Sequence, residues 1–157
     1  MKIRRSIAVL AAITLGLLLL APGASASNSH NEHFILLSSD PSNNSTPIVI
    51  ATGPIHARGT DQQINPVSKD KFVFPKGTIT VLHQTKHSKD AFDPVTCYGT
   101  HTETGAYQVT DGTQAYDDAH GHGTYSLTVT FVGCDQSAPP LVFQLRIDAS
   151  GPLTLGH

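Results

Sequence analysis

The sequence predicts an all-β domain held by one disulfide. After Pro47, β-branched and aromatic residues alternate with polar ones, and clusters of Gly, Pro and Asp separate the alternating runs. Outside the N-terminal segment, no window places apolar residues at helical spacing. The chain also has two cysteines, Cys97 and Cys134, which allow a single pairing. Together these observations predict short antiparallel strands around one core.

The alternating runs define the candidate strands. They cover Ile48–Thr52, Ile55–Gln62, Lys71–Phe74, Thr78–Thr85, Cys97–Thr110, Gly121–Cys134 and Leu141–Ala149. The last run shows the pattern clearly, because Phe143, Leu145 and Ile147 alternate with Gln144 and Arg146. Seven or eight such strands form either a sandwich or a closed barrel, and the pattern alone does not choose between them.

The N-terminus has the composition of a secretory signal peptide. Residues 1–5 include three basic side chains, residues 7–20 are apolar apart from one Thr and one Gly, and residues 24–26 read Ala-Ser-Ala. Signal peptidase cleaves after small-x-small tripeptides that follow such a run. The run has 14 residues, whereas a membrane-spanning helix needs ~20, so a membrane anchor is the weaker alternative. We therefore predict a signal peptide at 1–26 and a secreted protein without a stable membrane anchor.

Removal of this segment makes the chain more acidic and leaves one domain. Ten Lys and Arg face twelve Asp and Glu, and three of the basic residues lie in 1–5, so the net charge falls from −2 to −5. A basic stripe for nucleic acid is therefore excluded. About 130 residues remain, enough for one core. We expect a flexible arm at 27–47, with room for a short strand at Phe34–Leu37, a β-domain at 48–150 and a tail at 151–157.

The runs Cys97–Thr110 and Gly121–Cys134 predict a hairpin closed by a turn-rich loop. If Thr110 faces Gly121, the numbers of facing residues sum to 231, and Cys97 then faces Cys134. Directly opposed residues lie ~4.5–5.5 Å apart, within reach of a disulfide. Two cysteines of an exported protein are expected to be oxidised. We therefore predict a Cys97–Cys134 disulfide at the open end of this hairpin.

The same register predicts which face of the hairpin is buried. One face carries Tyr125, Leu127, Val129 and Phe131 opposite Ala106, Thr104, Thr102 and Thr100, and the other carries the threonines and serine of the second strand opposite Tyr107, Gly105, Glu103 and His101. The first face is the more apolar, so we expect it to point into the core.

The loop of the hairpin and its flanks resemble a known signature. The matching residues are Gly105, Tyr107, Val109, Gly112, Thr113, Tyr116, Ala119, Gly121 and Gly123. Their spacing is similar to the strand–turn–strand element G-x-Y-x-[IV]-x-x-G-T-G-x-Y-x-x-A-x-G-x-G of the allene oxide cyclase and dirigent barrels. Gln114 stands where that pattern has the second glycine of its turn.

The resemblance covers about residues 48–150 and implies an eight-stranded antiparallel β-barrel. It also implies a pocket that opens at one end, and an oligomer, since the plant cyclases and dirigent proteins are often trimeric. In those cyclases a pocket glutamate assists the cyclisation. The signature matches neither Glu32 nor Glu103 to that glutamate. The resemblance therefore implies a fold and a pocket, and leaves open whether a cyclase or isomerase reaction takes place.

Five residues are candidates for polar groups near the mouth of such a pocket: Arg58, Glu103, Tyr107, Tyr116 and Tyr125. A buried tyrosine needs a partner for its hydroxyl, which a ligand or water in a pocket would supply. Tyr107 and Tyr116 belong to the fold signature, and for these two a role in supporting the fold is the favoured alternative.

Histidines are the only candidate metal ligands, and no cofactor motif is present. His120 and His122 lie two residues apart, and His101 lies on the paired strand, so a zinc or copper site at these three residues is a minor alternative to ordinary polar loop residues. The sequence lacks a Gly-x-Ser-x-Gly elbow, a His-Glu-x-x-His helix and a phosphate loop, and we predict no cofactor.

Three functions fit these features. The first is a secreted barrel that binds a small hydrophobic molecule or steers its cyclisation or coupling, and it requires a cavity with a few polar groups. The second is a non-catalytic scaffold of the cell envelope, with a filled interior and an apolar patch outside. The third is the histidine-based metal binder.

Overall fold

Eight antiparallel strands close into a barrel in the computed structural model, which describes residues 29–42, 45–64, 68–135 and 137–156. The strands are β1 (His30–Ser38), β2 (Ile48–Thr52), β3 (His56–Ile64), β4 (Lys69–Phe74), β5 (Gly77–Asp93), β6 (Tyr98–Gly112), β7 (His120–Val132) and β8 (Val142–Thr154), with a 3₁₀ turn at Gln114–Tyr116 between β6 and β7. Each strand pairs with its neighbours in the chain, and β1 pairs with β8. The prediction of an all-β, eight-stranded barrel with one disulfide is thus confirmed, whereas the predicted signal peptide lies outside the described residues.

Two segments that we expected outside the domain are part of the barrel wall. Residues 30–38, assigned to a flexible arm, form β1, and residues 151–154, assigned to a tail, complete β8. Glu32, Phe34 and Leu36 of β1 all point inward and are at most 4% exposed. The prediction of a flexible arm was wrong because His30–His33 are all polar. The alternation of inward and outward residues in β1 nevertheless begins there, with Glu32 at an inward position.

The core fills one end of the barrel. It consists of Phe34, Leu36, Val49, Ala51, Ile55, Phe72, Phe74, Ile79, Val81, Tyr107, Val109, Tyr116, Ala119, Tyr125, Ala149 and Leu153. At this filled end the ring of Tyr116 packs edge-on against Phe74, with ring centroids 6.0 Å apart. Toward the other end the inward-facing residues of β6, β7 and β8, such as His101, Val129 and Leu145, become partly exposed. The interior therefore has one sealed end and one open end.

Strands β5 and β6 continue beyond the open end of the barrel, where β6 also stays paired with β7. We call the distal part of this β5–β6 pair the ribbon. β5 continues to Asp93, past the predicted end at Thr85. The additional residues are mostly polar and do not alternate with apolar ones, so the sequence gives no strand signal, and pairing with β6 keeps them extended. The pairing of β4 with β5 stops at Lys69 and Leu82, so the distal half of β5 is paired with β6 alone among the described strands. Lys86 and Lys89 lie on this edge, and lysines of this kind discourage further strand pairing.

The hairpin of β6 and β7 has a register one residue away from the predicted one. Tyr98 faces Val132 and Val109 faces Gly121, so the numbers of facing residues sum to 230 rather than 231. A one-residue shift exchanges the two faces of a strand. The interior partners of β7 are consequently Glu103, Gly105 and Tyr107, which the predicted register had placed on the opposite face.

Three aromatic rings explain why this register is favoured. Tyr125 faces Gly105, Tyr107 faces Gly123, and Phe131 faces Gly99. A Cβ atom on Gly105 or Gly123 would come within 2.5 Å of the facing tyrosine ring. Each ring thus lies flat across a glycine of the neighbouring strand, a packing that recovers the contact area that the glycine itself lacks. In the predicted register the same rings would have met Ala106, Thr124 and Thr100.

The disulfide joins Cys97 and Cys134 as predicted, with their Cα atoms 4.9 Å apart. The two residues are not directly opposed, and that detail of the prediction was wrong. Cys97 instead faces Gly133, whose backbone amide donates a 2.9 Å hydrogen bond to the Cys97 carbonyl. Cys97 ends the β5–β6 turn in a left-handed conformation, with φ at 58°, and this geometry lets it reach one residue further along the chain.

Candidate ligand cavity inside the barrel

A partly open space of about 110 Å³ lies inside the barrel, where the core faces the open end. Its lining consists of Phe34, Leu36, Asp70, Phe72, Val81, His83, Glu103, Tyr107, Tyr125, Leu127, Ile147 and Ala149. Seven of these twelve residues are aliphatic or phenylalanine and two are tyrosine, and the other three, Asp70, His83 and Glu103, lie toward the open end. We call this space the barrel cavity.

Glu103 is the centre of one polar cluster on the cavity wall. The Tyr125 hydroxyl donates a 2.6 Å hydrogen bond to Glu103 Oε1, and the Thr85 hydroxyl donates to the same oxygen. The Thr85 and Tyr125 hydroxyls are themselves 3.1 Å apart. Burial raises the pKa of Glu103, but hydrogen bonds from Thr85, Tyr125 and His101 outweigh burial, and the net pKa is below the ordinary value. Glu103 is therefore held as a carboxylate at neutral pH.

Tyr125 and His101 respond to this carboxylate. Burial and the hydrogen bond to Glu103 raise the pKa of Tyr125, so its hydroxyl stays protonated. His101 lies between two carboxylates, with Nδ1 2.7 Å from Asp90 and Nε2 3.5 Å from Glu103. The hydrogen bond with Asp90 is the main cause of a raised pKa for His101, and Glu103 adds to it. The chain Asp90–His101–Glu103–Tyr125 thus leads from exposed surface to the cavity.

A second polar cluster lies beside the first on the inner wall, on β3, β4 and β5. His83 Nε2 is 3.3 Å from Asp70 Oδ2, and the His83 ring meets the Tyr125 ring edge-on at 5.9 Å. Burial raises the pKa of Asp70, and the charge of His83 opposes this shift.

Asp61 belongs to the same cluster and has an unpaired oxygen. It faces Phe72 across the β3–β4 ladder, so it points into the barrel as Phe72 does. Its Oδ1 atom is buried and has no hydrogen-bond partner among the described residues. Burial, and then the charge of Asp70, raise the pKa of Asp61 to about 7. The barrel wall therefore holds a carboxyl group whose charge nothing in the described protein compensates.

A fourth inward-pointing acidic residue, Glu32, lies at the sealed end and is fully buried. Its carboxylate accepts hydrogen bonds from the backbone amides of Ile55 at 2.7 Å and His33 at 3.1 Å. Burial raises the pKa of Glu32, and these amides counteract the shift. Burial and the charge of Glu32 together raise the pKa of Tyr107 to about 12. Glu32 thus satisfies the backbone of the β2–β3 turn, away from the cavity lining.

Three of the five residues predicted for the pocket, Glu103, Tyr107 and Tyr125, line the cavity. The other two do not. Arg58 is exposed on the outer face of β3, where it pairs with Ile50, because the inward residues of that strand are Ala57 and Gly59. Tyr116 closes the sealed end through its contact with Phe74. The sequence analysis chose Arg58 and Tyr116 by residue type. It did not consider which residues of each strand point inward, and this alternation decides the direction of a side chain.

Asp61, Asp70 and His83 were missed by the sequence reasoning, although a signal for them exists. Asp70 precedes Phe72 and Phe74 at two-residue spacing, and His83 follows Ile79 and Val81 in the same way. A charged or titratable residue in phase with core residues points into the interior.

The histidines named as metal-ligand candidates do not come together. His101 faces Val129, whereas His122 faces Gln108, a separation of about 23 Å along β6 at ~3.3 Å per residue. His120 Nδ1 is 2.9 Å from the carbonyl oxygen of Asp118. Within the described ranges, no group of three or more His, Cys, Asp or Glu residues could hold a metal ion.

A wider groove of about 490 Å³ lies outside the barrel, beside the disulfide. Phe92 of the ribbon stacks on Phe131 there, with ring centroids 6.3 Å apart. Near this groove Phe92, Val95, Tyr98, Leu141 and Val142 are all at least 46% exposed. We call these five residues the apolar rim.

Fold and site together define a closed antiparallel β-barrel with a small internal cavity, lined by aromatic residues and edged by carboxylates. No protein-family model, no curated protein and no solved structure matches the chain. In the part of the chain that the structure describes, no helix is long and apolar enough to cross a membrane.

Proposed function

We propose that this protein is an exported carrier or receptor that binds one small, mainly apolar molecule in the barrel cavity. The single observation that carries the proposal is the cavity itself, an apolar and aromatic space with a few convergent polar groups. Such a lining is typical of small-molecule sites in the mouths of barrels. Export rests on the predicted signal peptide and is supported by the disulfide.

The volume of the cavity limits the size of the ligand. Drug-sized molecules occupy pockets of about 300–1,000 Å³, whereas an apolar cavity of about 150 Å³ accommodates benzene. At about 110 Å³, the barrel cavity fits a ligand of five to six carbon-sized atoms, or the end of a longer molecule that extends through the open end. The proposal concerns binding alone. The cyclase-like activity that the resemblance implies stays a separate prediction.

Titration calorimetry with cyclopentanol, a compact probe of the right size, tests this function. Ala149 lines the cavity and is 8% exposed, so Ala149→Leu places three additional carbon atoms inside. Ala106→Leu is the matched control, because Ala106 lies on the outer face of the same wall, between the inward residues Gly105 and Tyr107. We expect saturable one-to-one binding by the wild type and the control, and binding at least about tenfold weaker by Ala149→Leu.

Equal affinities in all three proteins would place the probe outside the cavity, and an absence of binding in all three would overturn the proposal. Native mass spectrometry of protein from the medium of its own host provides a second test. A small molecule that co-purifies with the wild type and is lost from Ala149→Leu supports the proposal. A molecule that co-purifies equally with the Ala149→Leu variant contradicts it.

The apolar rim favours a second candidate function, an interaction scaffold whose simplest form is self-association. Val95 and Leu141 are 89% and 88% exposed, and clustered apolar exposure of this kind marks interaction sites. Sedimentation velocity at increasing concentration tests it. Association by the wild type that is lost in Val95→Ser/Leu141→Ser supports this candidate, and a monomer at all concentrations removes self-association from it.

A further inference from the structure

The wall of the barrel cavity carries more acidic than basic side chains. Glu103 and Asp70 line it, and Asp61 points inward next to Asp70. The basic groups at the wall are His83, which contacts Asp70, and His101, which already lies between Glu103 and exposed Asp90. None of the twelve lining residues is Lys or Arg. Three carboxyl groups and two imidazoles thus border this apolar space.

Asp61 and Asp70 make this imbalance specific. Asp61 faces Phe72 and Asp70 faces Gln63 on the same two strands, so the two carboxyl groups are diagonal neighbours on the inner face. Asp61 Oδ1 is buried without a partner among the described residues. A buried polar atom without a partner costs about 1–3 kcal/mol in proteins, and proteins retain such groups mainly where a ligand, ion or water completes them.

Aromatic rings surround the space beneath these carboxyl groups. Phe34, Phe72, Tyr107 and Tyr125 all line the cavity, and Phe34 contacts both Phe72 and Tyr107 edge-on. The faces of aromatic rings attract a cation, and a desolvated cation more strongly than an exposed one. The aromatic walls and the unpaired Asp61 Oδ1 both favour a cationic group.

We propose that the ligand of the barrel cavity is a small protonated amine with a compact apolar body, its ammonium group at Asp61 and Asp70 and its carbon skeleton against the aromatic walls. This inference rests on the proposed function and names the class of ligand for it. The carboxylates alone would not define a site; the aromatic cavity beside them does. An ammonium group donates up to three hydrogen bonds and accepts none, so it suits a wall whose polar atoms are mainly carboxylate acceptors.

The pH dependence of binding depends on all titratable groups that point into the interior. These groups are Glu32 on β1, Asp61 on β3, Asp70 on β4, His83 on β5, Glu103, His101 and Tyr107 on β6, and Tyr125 on β7. With a pKa of about 7, Asp61 is partly protonated near neutral pH. A bound ammonium favours the carboxylate, so binding of an amine should release a proton from Asp61.

The test compares cyclopentylamine with cyclopentanol, which has nearly the same shape and no charge, by titration calorimetry near neutral pH. We expect the amine to bind about tenfold more tightly or better. Repeating the titration in buffers of different ionisation enthalpy measures proton release, which we expect for the amine and not for the alcohol. Asp61→Asn should abolish the proton release and reduce the preference for the amine. Asp117→Asn is the matched control, because it removes the same charge from an exposed loop at the sealed end.

The outcomes separate this inference from the proposed function. If the alcohol binds as tightly as the amine, or if Asp61→Asn leaves the preference unchanged, the amine proposal is overturned and the cavity proposal stands. If neither probe binds, the proposed function fails. Should Asp61→Asn not fold, Asp70→Asn replaces it, and an unchanged preference for the amine in that variant overturns the proposal equally.

Discussion

Asp61 makes the stability of the barrel depend on pH in a way that a single substitution removes. Its pKa is about 7 in the folded protein, against 3.8 as the ordinary value. Because the folded state binds the proton more tightly than the unfolded state, this group stabilises the fold at low pH, and the stabilisation is lost as the pH rises toward and through 7. Above that pH the fold must hold a buried charge without a partner.

The size of the effect follows from these two pKa values. One pKa unit corresponds to about 1.36 kcal/mol. With the folded and unfolded values above, the contribution of Asp61 to the free energy of unfolding falls by about 2–3 kcal/mol between about pH 5 and about pH 8. Asp61→Asn keeps the shape of the side chain and removes its titration. We therefore expect the variant to be about 4 kcal/mol more stable than the wild type at about pH 8, and about 1–2 kcal/mol more stable at about pH 5.

Urea denaturation of the oxidised proteins at both pH values measures this difference. Groups whose pKa does not depend on Asp61, such as Glu103, affect both proteins alike and cancel in the comparison. Parallel stability curves for the wild type and Asp61→Asn over this pH range would refute the reasoning, since Asp61 would then titrate equally in the folded and unfolded states. Asp117→Asn, on an exposed loop, should follow the wild-type curve.

Three further predictions concern stability. Gln114 holds a left-handed conformation, with φ at 58°, so Gln114→Gly should raise the free energy of unfolding by about 0.5–1 kcal/mol in urea denaturation, and a loss would contradict the strain. The Cys97–Cys134 disulfide spans 37 residues, so replacing both cysteines by Ser should cost about 2–4 kcal/mol by the same assay, while an unchanged midpoint would show that the loop is already constrained when unfolded. A Cβ on Gly105 would meet the Tyr125 ring at 2.5 Å, so Gly105→Ala should lower the melting temperature and weaken cyclopentanol binding together; a change in only one of the two would separate the ring from the cavity.

Local pattern was sufficient for much of the barrel wall. Alternation located most of β2 to β8, and the two cysteines were paired correctly. It failed where a strand carries few apolar residues, as in β1, whose inward Glu32 breaks the hydrophobic count, and in the distal half of β5, which is held by β6 alone. Closure could not be predicted from pattern, because it depends on β1 pairing with β8, strands that are remote in the chain.

The register of β6 and β7 was within reach of the sequence but required a different criterion. Placing Thr110 opposite Gly121 gave one register, and matching each aromatic residue to a glycine gives the observed one, with Tyr125 at Gly105 and Tyr107 at Gly123. The choice matters for the site, because it is this register that turns Glu103 inward. To predict the interior residues on β3, β4 and β5, one must know which residues of each strand point inward. Charged residues at inward positions, such as Asp61 and Asp70, make this alternation hard to recognise.

The pairing of β1 with β8 also dictates an order of events during folding. His30 pairs with Leu153, so the seam of the barrel unites segments that are nearly the whole chain apart, whereas β5, β6 and β7 pair through short connections. Contacts between remote segments form late, because the entropy of closing the intervening loop must first be overcome. Strands β5, β6 and β7, with the disulfide between Cys97 and Cys134, can thus assemble early. The seam, and with it the cavity wall at Phe34 and Ala149, forms last, so an interrupted folding reaction would leave an open sheet with an incomplete cavity and two unpaired edges.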